Sequence, residues 1–147
     1  MNNTDVRGWL FAGAELGGST SGLAPPRGIE LTPARRIATV TGDKAIRQSI
    51  VILLTTIPGE RVMRPDYGCP LHRLMFSPND ATTAGLAIHY VRQALLRFEP
   101  RIDILRLDAR ADAEDEARLV VSLEYLVKST NRRDGLEFGV HLLGEPA

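Results

Sequence analysis

Hydrophobic spacing along the chain changes from a helical period to a strand period at one point, and that change sets the predicted order of elements. From Ala45 to Ile57 the apolar residues Ile46, Ile50, Leu53, Leu54 and Ile57 recur at three- and four-residue steps, which predicts a helix with one buried stripe. Asp43 stands where an N-cap is wanted, and Pro58 and Gly59 stop the helix. A second helix is expected from about residue 80 to residue 98, with Ser77, Asn79 and Asp80 as cap candidates. It places Ala84, Ala87, Ile88, Val91, Ala94, Leu95 and Phe98 on one face. Pro100 cannot lie inside a helix and biases Glu99 away from helical angles, so the turn falls there.

Beyond Arg101 the period becomes two. "IDILRLDAR" reads as a strand with mixed faces. In "ARLVVSLEYLVKST" the residues Leu119, Val121, Leu123, Tyr125 and Val127 alternate strictly, and in "LEFGVHLL" Leu136, Phe138, Val140 and Leu142 point inward. "ADAEDEA" is a charged connection and "NRRDG" a hairpin signal. Upstream, "RRIATVT" at 35–41 suits a short strand. In "ERVMRPDYGCPLHRLMF", Val62 and Met63 start a strand before two prolines and a glycine impose a loop. That loop is rich in large side chains and must be tied down by its own contacts.

The expected fold is α+β: two main helices packed on a small, mainly antiparallel sheet that ends in a three-stranded meander. Residues 1–28, with "GAELGGSTSGLAPPRG", read as a flexible N-terminal arm, and residues 29–147 as the folded domain. Within the arm, Trp9, Leu10 and Phe11 have two readings. They tuck onto this protein's own surface, or they anchor a partner and order on contact.

Composition narrows the function classes. The chain has 147 residues, 44% of them hydrophobic, enough for one core of ordinary size. Eighteen Lys and Arg balance 18 Asp and Glu, so no global field gathers nucleic acid or acidic lipid. No stretch approaches about 18 consecutive apolar residues, so membrane insertion is not expected. The single cysteine, Cys69, rules out an intrachain disulfide and fits synthesis in a reducing cytoplasm.

Candidate chemistry is thin. Hydrolysis of a glycosidic bond needs convergent carboxylates, and Glu60 and Glu99 are the glutamates beside turn-forming prolines. Each has an arginine nearby, Arg61 and Arg101, which favours the charged form of a carboxylate against the need of a general acid. Cys69 with His72 or His89 lacks an oxyanion-hole pattern, and the set is too small for a zinc site. The glycine-rich segment lacks the lysine and the preceding strand of a phosphate loop, so no nucleotide or other cofactor is expected. Arg35, Arg36, Arg132 and Arg133 form two small basic pairs that read as solvated faces. Edges are more informative. The last strand is long, apolar and free of proline and lysine, so it either lies centrally in its own sheet or offers a template for a partner strand.

The order "LLTTIPGER", "RPDYG", "LMF" with a capped helix, then Glu99, Pro100 and Arg101 followed by an alternating hairpin resembles one family over residues 35–143. These are the small baseplate wedge proteins of contractile phage tails, historically called lysozyme-like and also the sheath initiators of contractile injection systems and of the type VI secretion baseplate. The resemblance implies a structural subunit without enzymatic activity, a component of a phage tail or a released tail-like particle. It implies six copies around the inner tube and hub proteins, a sheet that docks the first ring of sheath subunits by strand exchange, and a Glu99–Arg101 corner that faces the helical core bundle of the other wedge proteins. The partner-binding set expected on these grounds is Glu99, Pro100, Arg101, Leu136, Phe138, Val140, Leu142, Trp9 and Phe11. Two other classes stay open: a lysozyme-like hydrolase of peptidoglycan, and a soluble adaptor that binds through its N-terminal arm.

Overall fold

A computed structural model describes residues 7–9, 11–12, 28–29, 31–37 and 39–143. Its first elements are the short strands β1 (Arg7–Trp9), β2 (Phe11–Ala12), β3 (Gly28–Ile29) and β4 (Thr39–Thr41). They make two antiparallel pairs, with Trp9 opposite Thr39 and Phe11 opposite Ile29. Most of the arm expected over residues 1–28, including the Gly/Ser/Pro stretch, lies outside the described residues, and so do the side chains of Trp9 and Phe11.

Helix α1 (Asp43–Thr55) buries Ile46, Ile50, Leu53 and Leu54, as the periodicity requires. Two details at its ends differ from expectation. Asp43 is the first helical residue, and Gly42 occupies the cap position with φ 68, a conformation that glycine adopts without a steric cost. The Asp43 carboxylate serves the helix dipole from inside the first turn. At the other end Thr56 returns both its N–H (3.0 Å) and its hydroxyl (2.5 Å) to the Ile52 carbonyl and then turns extended. The helix therefore stops before Ile57, which is exposed rather than part of the stripe.

The segment 58–69 contains no strand. Val62 and Met63, expected to begin one, sit in turns at the surface, and Met63 has φ 71. A 3-10 helix, Pro70–Leu74, then buries Leu71 and Leu74. Helix α2 (Ala81–Phe98) begins where expected, because Asp80 accepts from the Thr83 N–H at 2.8 Å. It buries Ala87, Val91, Ala94 and Leu95, while Ala84, Ile88 and Phe98 are half-buried.

Three strands complete the chain: β5 (Ile102–Ala111), β6 (Arg118–Val127) and β7 (Arg132–His141), in the antiparallel order β5-β6-β7. The β6–β7 turn falls at residues 128–131, with Asn131 at φ 53 donating its N–H to the Val127 carbonyl at 2.8 Å. The hairpin signal in "NRRDG" is thus one step out of place. Asn131 supplies the left-handed residue, Arg132 already pairs with Val127, and Gly135 lies inside β7. Leu136 and Phe138 are buried as expected, Val140 is half-buried, and Leu142 is buried just past the strand end.

One core collects α1, the 3-10 helix, α2 and the inner faces of the sheet, with Leu119, Val121, Leu123, Tyr125 and Val127 at its centre. The other sheet face is wet and charged, which an antiparallel sheet tolerates. There Arg106, Asp108, Arg110, Ser122, Glu124 and Glu137 line a shallow depression. Ser122 donates to Glu137 at 3.0 Å, and Arg110 lies 3.6 Å from the same carboxylate.

Candidate partner interface

The corner after α2 is built from the helix end inward. Pro100 ends the helix, the Glu99 N–H still returns to the Leu95 carbonyl at 2.9 Å, and the Lys128 N–H holds the Arg101 carbonyl at 3.0 Å. The chain therefore enters β5 at a fixed angle. Glu99 turns into the protein, where it is only 2% exposed, and both of its oxygens accept from Arg101: Nε to Oε1 at 2.5 Å and Nη2 to Oε2 at 2.8 Å. A bidentate guanidinium pair of this kind is geometrically rigid. The carboxylate raises the Arg101 pKa above its ordinary value against the opposing pull of burial. Arg101 remains 42% exposed. Of the two charges singled out in the sequence, Glu99 points inward and Arg101 carries the surface.

Tyr67, Arg64, Asp66 and Arg97, which the sequence reading did not single out, complete this corner together with Arg61 and Phe98. The Tyr67 ring stands 5.1 Å from Phe98, with the Arg61 and Arg64 guanidiniums 4.5 and 5.7 Å from its centroid. Burial raises the Tyr67 hydroxyl pKa, and Arg61, Glu99, Arg64 and Arg101 all act on it electrostatically. Arg97 covers Phe98 at 5.0 Å and bonds Asp66 at 2.6 Å. The loop's base is fixed by Glu60, which accepts the Ile57 N–H at 3.0 Å, and by the Cys69 N–H, which reaches the Thr56 carbonyl at 2.9 Å. Gly68, at φ 135, lies so close to that strand of backbone that a Cβ would sit 2.4 Å from the Thr56 oxygen. Cys69 is buried beside it, which pushes its thiol up to about 12 and keeps it protonated near neutral pH. The expectation of a loop tied by its own contacts holds, and "PDYG" was the visible signal.

A second polar network lies at the start of β7. The buried Tyr125 hydroxyl donates to Asp134 Oδ2 at 2.8 Å, and Arg47 of α1 reaches both Asp134 oxygens at 2.9 and 3.0 Å. Arg47 also donates to the Gly135 carbonyl at 2.8 Å. Burial pushes the Asp134 carboxyl up, but the Tyr125, Gly135 and Arg47 donors together bring it below the ordinary carboxylate value. Burial and the Asp134 acceptor raise the Tyr125 hydroxyl pKa well above its ordinary value.

This network also shows which backbone groups face outward. Alternate residues of an antiparallel strand aim N–H and C=O at the neighbour or away from it. The carbonyl taken by Arg47 places Gly135 in the outward set, and with it Glu137, Gly139 and His141. Arg47 thus occupies the near end of the β7 edge. From Glu137 to His141 no described strand pairs with the edge. The sequence-predicted residues Leu136, Phe138 and Leu142 lie beneath this edge in the core and fix its position.

The family model Baseplate wedge protein gp25 matches residues 40–132. The chain belongs to this family. It is 29% identical over 86 residues to the baseplate wedge protein gp25 of Enterobacteria phage T4, covering 58% of this chain and 64% of that protein, so it spans less than two thirds of that relative's length. A crystal structure from Geobacter sulfurreducens, of a protein named as a tail lysozyme, is 44% identical with a TM-score of 0.64, covering 71% of this chain and 94% of that one. The anti-feeding prophage baseplate contains a chain with the same fold at 20% identity and a TM-score of 0.63, covering 97% of this chain and 90% of that one. The wedge family that the motif order resembled is therefore the family found, and its members are proteins of contractile-tail baseplates. Among the described residues no helix is long and apolar enough to cross a membrane.

Proposed function

We propose that this chain is a structural subunit that joins the wedge core bundle to the first sheath ring, and that it starts sheath assembly by taking a sheath strand onto the outer edge of β7. The observation that carries this reading is the edge from Glu137 to His141, which no strand among the described residues pairs, with alternate backbone groups aimed outward and its register locked by buried Leu136 and Phe138. Each added backbone hydrogen bond contributes only about 0.5–1.5 kcal/mol, but several act together, and six copies around the tube multiply the effect. Residues 29–147 form the docking domain, and the 1–28 arm, with Trp9 and Phe11, lies near neighbouring subunits. Arg101, aimed by Glu99 and Pro100, contacts the wedge proteins. Assembly takes place in the bacterial cytoplasm, beside the tube and hub proteins.

The lysozyme name carried by the Geobacter sulfurreducens relative makes hydrolysis the alternative to exclude. A glycosidase acid must reach the glycosidic oxygen. Here Glu99 is 2% exposed with both oxygens on Arg101, and Glu60 is held by the Ile57 N–H, which supports a non-catalytic role.

Glu137→Pro tests the sheath contact, because it removes an outward N–H from an edge that proline tolerates. The isolated variant is expected to melt within about 4 °C of the wild type, a shift of roughly 1 kcal/mol. In producing cells, electron microscopy is expected to show baseplates that retain the chain but lack sheath. Sheaths of normal number and length on those baseplates would refute the strand-addition mechanism.

A further inference from the structure

The corner continues into a surface that the sheath contact does not use. Val62 and Met63 are each 90% exposed, side by side at the tip of the loop over residues 57–69. Single exposed apolar residues are ordinary, but two adjacent ones on a firmly held loop are not. Glu60 caps the loop start, Arg97 fixes Asp66, Tyr67 packs on Phe98, and Gly68 lies against the Thr56 backbone. Met63 adopts φ 71, a left-handed conformation that an L side chain takes at a steric cost. The chain thus holds this apolar pair outward against both solvation and backbone preference.

Charge around the tip is one-sided. The nearby carboxylates are used within the protein: Glu60 by the Ile57 N–H, Asp66 by Arg97 and Glu99 by Arg101. Among the described residues Arg61 and Arg64 have no ion-pair partner, yet both are positioned against the Tyr67 ring, at 4.5 and 5.7 Å. A guanidinium positioned over an aromatic ring keeps N–H donors available for a carboxylate. Arg101, close enough to act on the same tyrosine, is already paired with Glu99, so among the described residues the unpaired positive groups here are Arg61 and Arg64.

We infer that residues 61–64 form a docking knob: Val62 and Met63 enter an apolar pocket on another baseplate protein, whose carboxylate rim meets Arg61 and Arg64. The inference depends on membership of the wedge family and not on the sheath contact. A protein pocket fits better than an anionic membrane surface. Lipid surfaces hold proteins through several anchors or a polybasic cluster, whereas here two side chains act in a chain of zero formal net charge.

The test is Val62→Ser with Met63→Gly in the full chain, expressed in producing cells. Glycine accepts the left-handed position, so the variant is expected to melt no lower than the wild type. Its amount in purified baseplates is expected to fall at least tenfold. A second variant, Arg61→Glu with Arg64→Glu, is expected to lose incorporation equally, with melting lowered by no more than about 8 °C for the two lost ring contacts. Benzoylphenylalanine at Val62 is expected to cross-link, in assembled baseplates, to a peptide of another subunit with Asp or Glu beside the reacted site. Wild-type incorporation of either variant would overturn the inference, as would cross-links to lipid or co-sedimentation of the isolated chain with phosphatidylserine vesicles. The two proposals separate cleanly: failure of the knob removes the chain from the baseplate, whereas failure of the β7 edge removes the sheath and leaves the chain in place.

Discussion

Two arginine–carboxylate pairs lie near the β6–β7 turn, and they use the same chemistry to opposite ends. In the Arg47–Asp134 pair the Arg47 Nη1 donor is spent inside the domain, on both carboxylate oxygens and on the Gly135 carbonyl, and Asp134 also accepts from the buried Tyr125 hydroxyl. That network clamps α1 to the sheet and closes the near end of the edge. In the Glu99–Arg101 pair the carboxylate is the hidden partner and the guanidinium remains 42% exposed, beside arginines 61 and 64 and an uncovered Val62–Met63 tip. The first pair holds the fold together and the second aims a surface outward. The more deeply buried carboxylate is Glu99 and not Asp134, so the roles are separated by the arginine: Arg47 is 27% exposed and bonded across to the sheet, whereas Arg101 is 42% exposed.

Substitutions can break this comparison, and the largest effect is expected at the closed network. Asp134→Ala leaves the Tyr125 hydroxyl buried without its acceptor and the partly exposed Arg47 without its carboxylate, and should cost about 2–3 kcal/mol in urea unfolding, most of it from Tyr125. The same network sets the acid response. The folded Asp134 pKa lies below its unfolded value of about 3.9. Its contribution is therefore present above that value and is lost as pH falls through the lower folded one. Wild-type stability should drop more steeply than that of Asp134→Asn below about pH 4, and parallel acid titrations would remove the assignment.

Glu99→Ala should cost less, about 1–2 kcal/mol, because the half-exposed Arg101 can relax into water once its partner is gone. Its effect on assembly should be the greater one: a freed Arg101 loses its aim, and incorporation into baseplates should fall although the chain remains folded. Equal losses of stability in the two variants, with normal assembly for Glu99→Ala, would erase the distinction between clamp and presenter.

The same contrast marks what the sequence made legible. Helix α2 and the β5-β6-β7 meander could be read directly, because Asp80, Pro100 and the strict alternation from Leu119 to Val127 act locally. Ile57 was misplaced because its spacing continues the stripe, while the two bonds from Thr56 to Ile52 end the helix earlier. Val62 and Met63 carry strand-like side chains, but the close approach of Gly68 to Thr56 dictates a folded loop over strand propensity. At the corner, the proline and the two charges were visible as a motif. Which charge is buried was not, since that depends on Tyr67 arriving from a distant part of the chain to pack on Phe98. The hairpin turn shifted because Asn131, rather than Gly135, supplies the left-handed residue.

The most direct test of the outward edge is residue-resolved hydrogen exchange on β7, first in the isolated chain and then in sheathed particles. In the isolated chain the amides of Glu137 and His141 should exchange fast and those of Phe138 and Val140 slowly, because alternate N–H groups face away from β6, while Gly139 is buried beside the Arg118 side chain. In sheathed particles both outward amides should become protected by at least about a hundredfold, equivalent to roughly 2.7 kcal/mol. Exchange at those two positions that is as fast in the sheathed particle as in the free chain would contradict strand addition at β7.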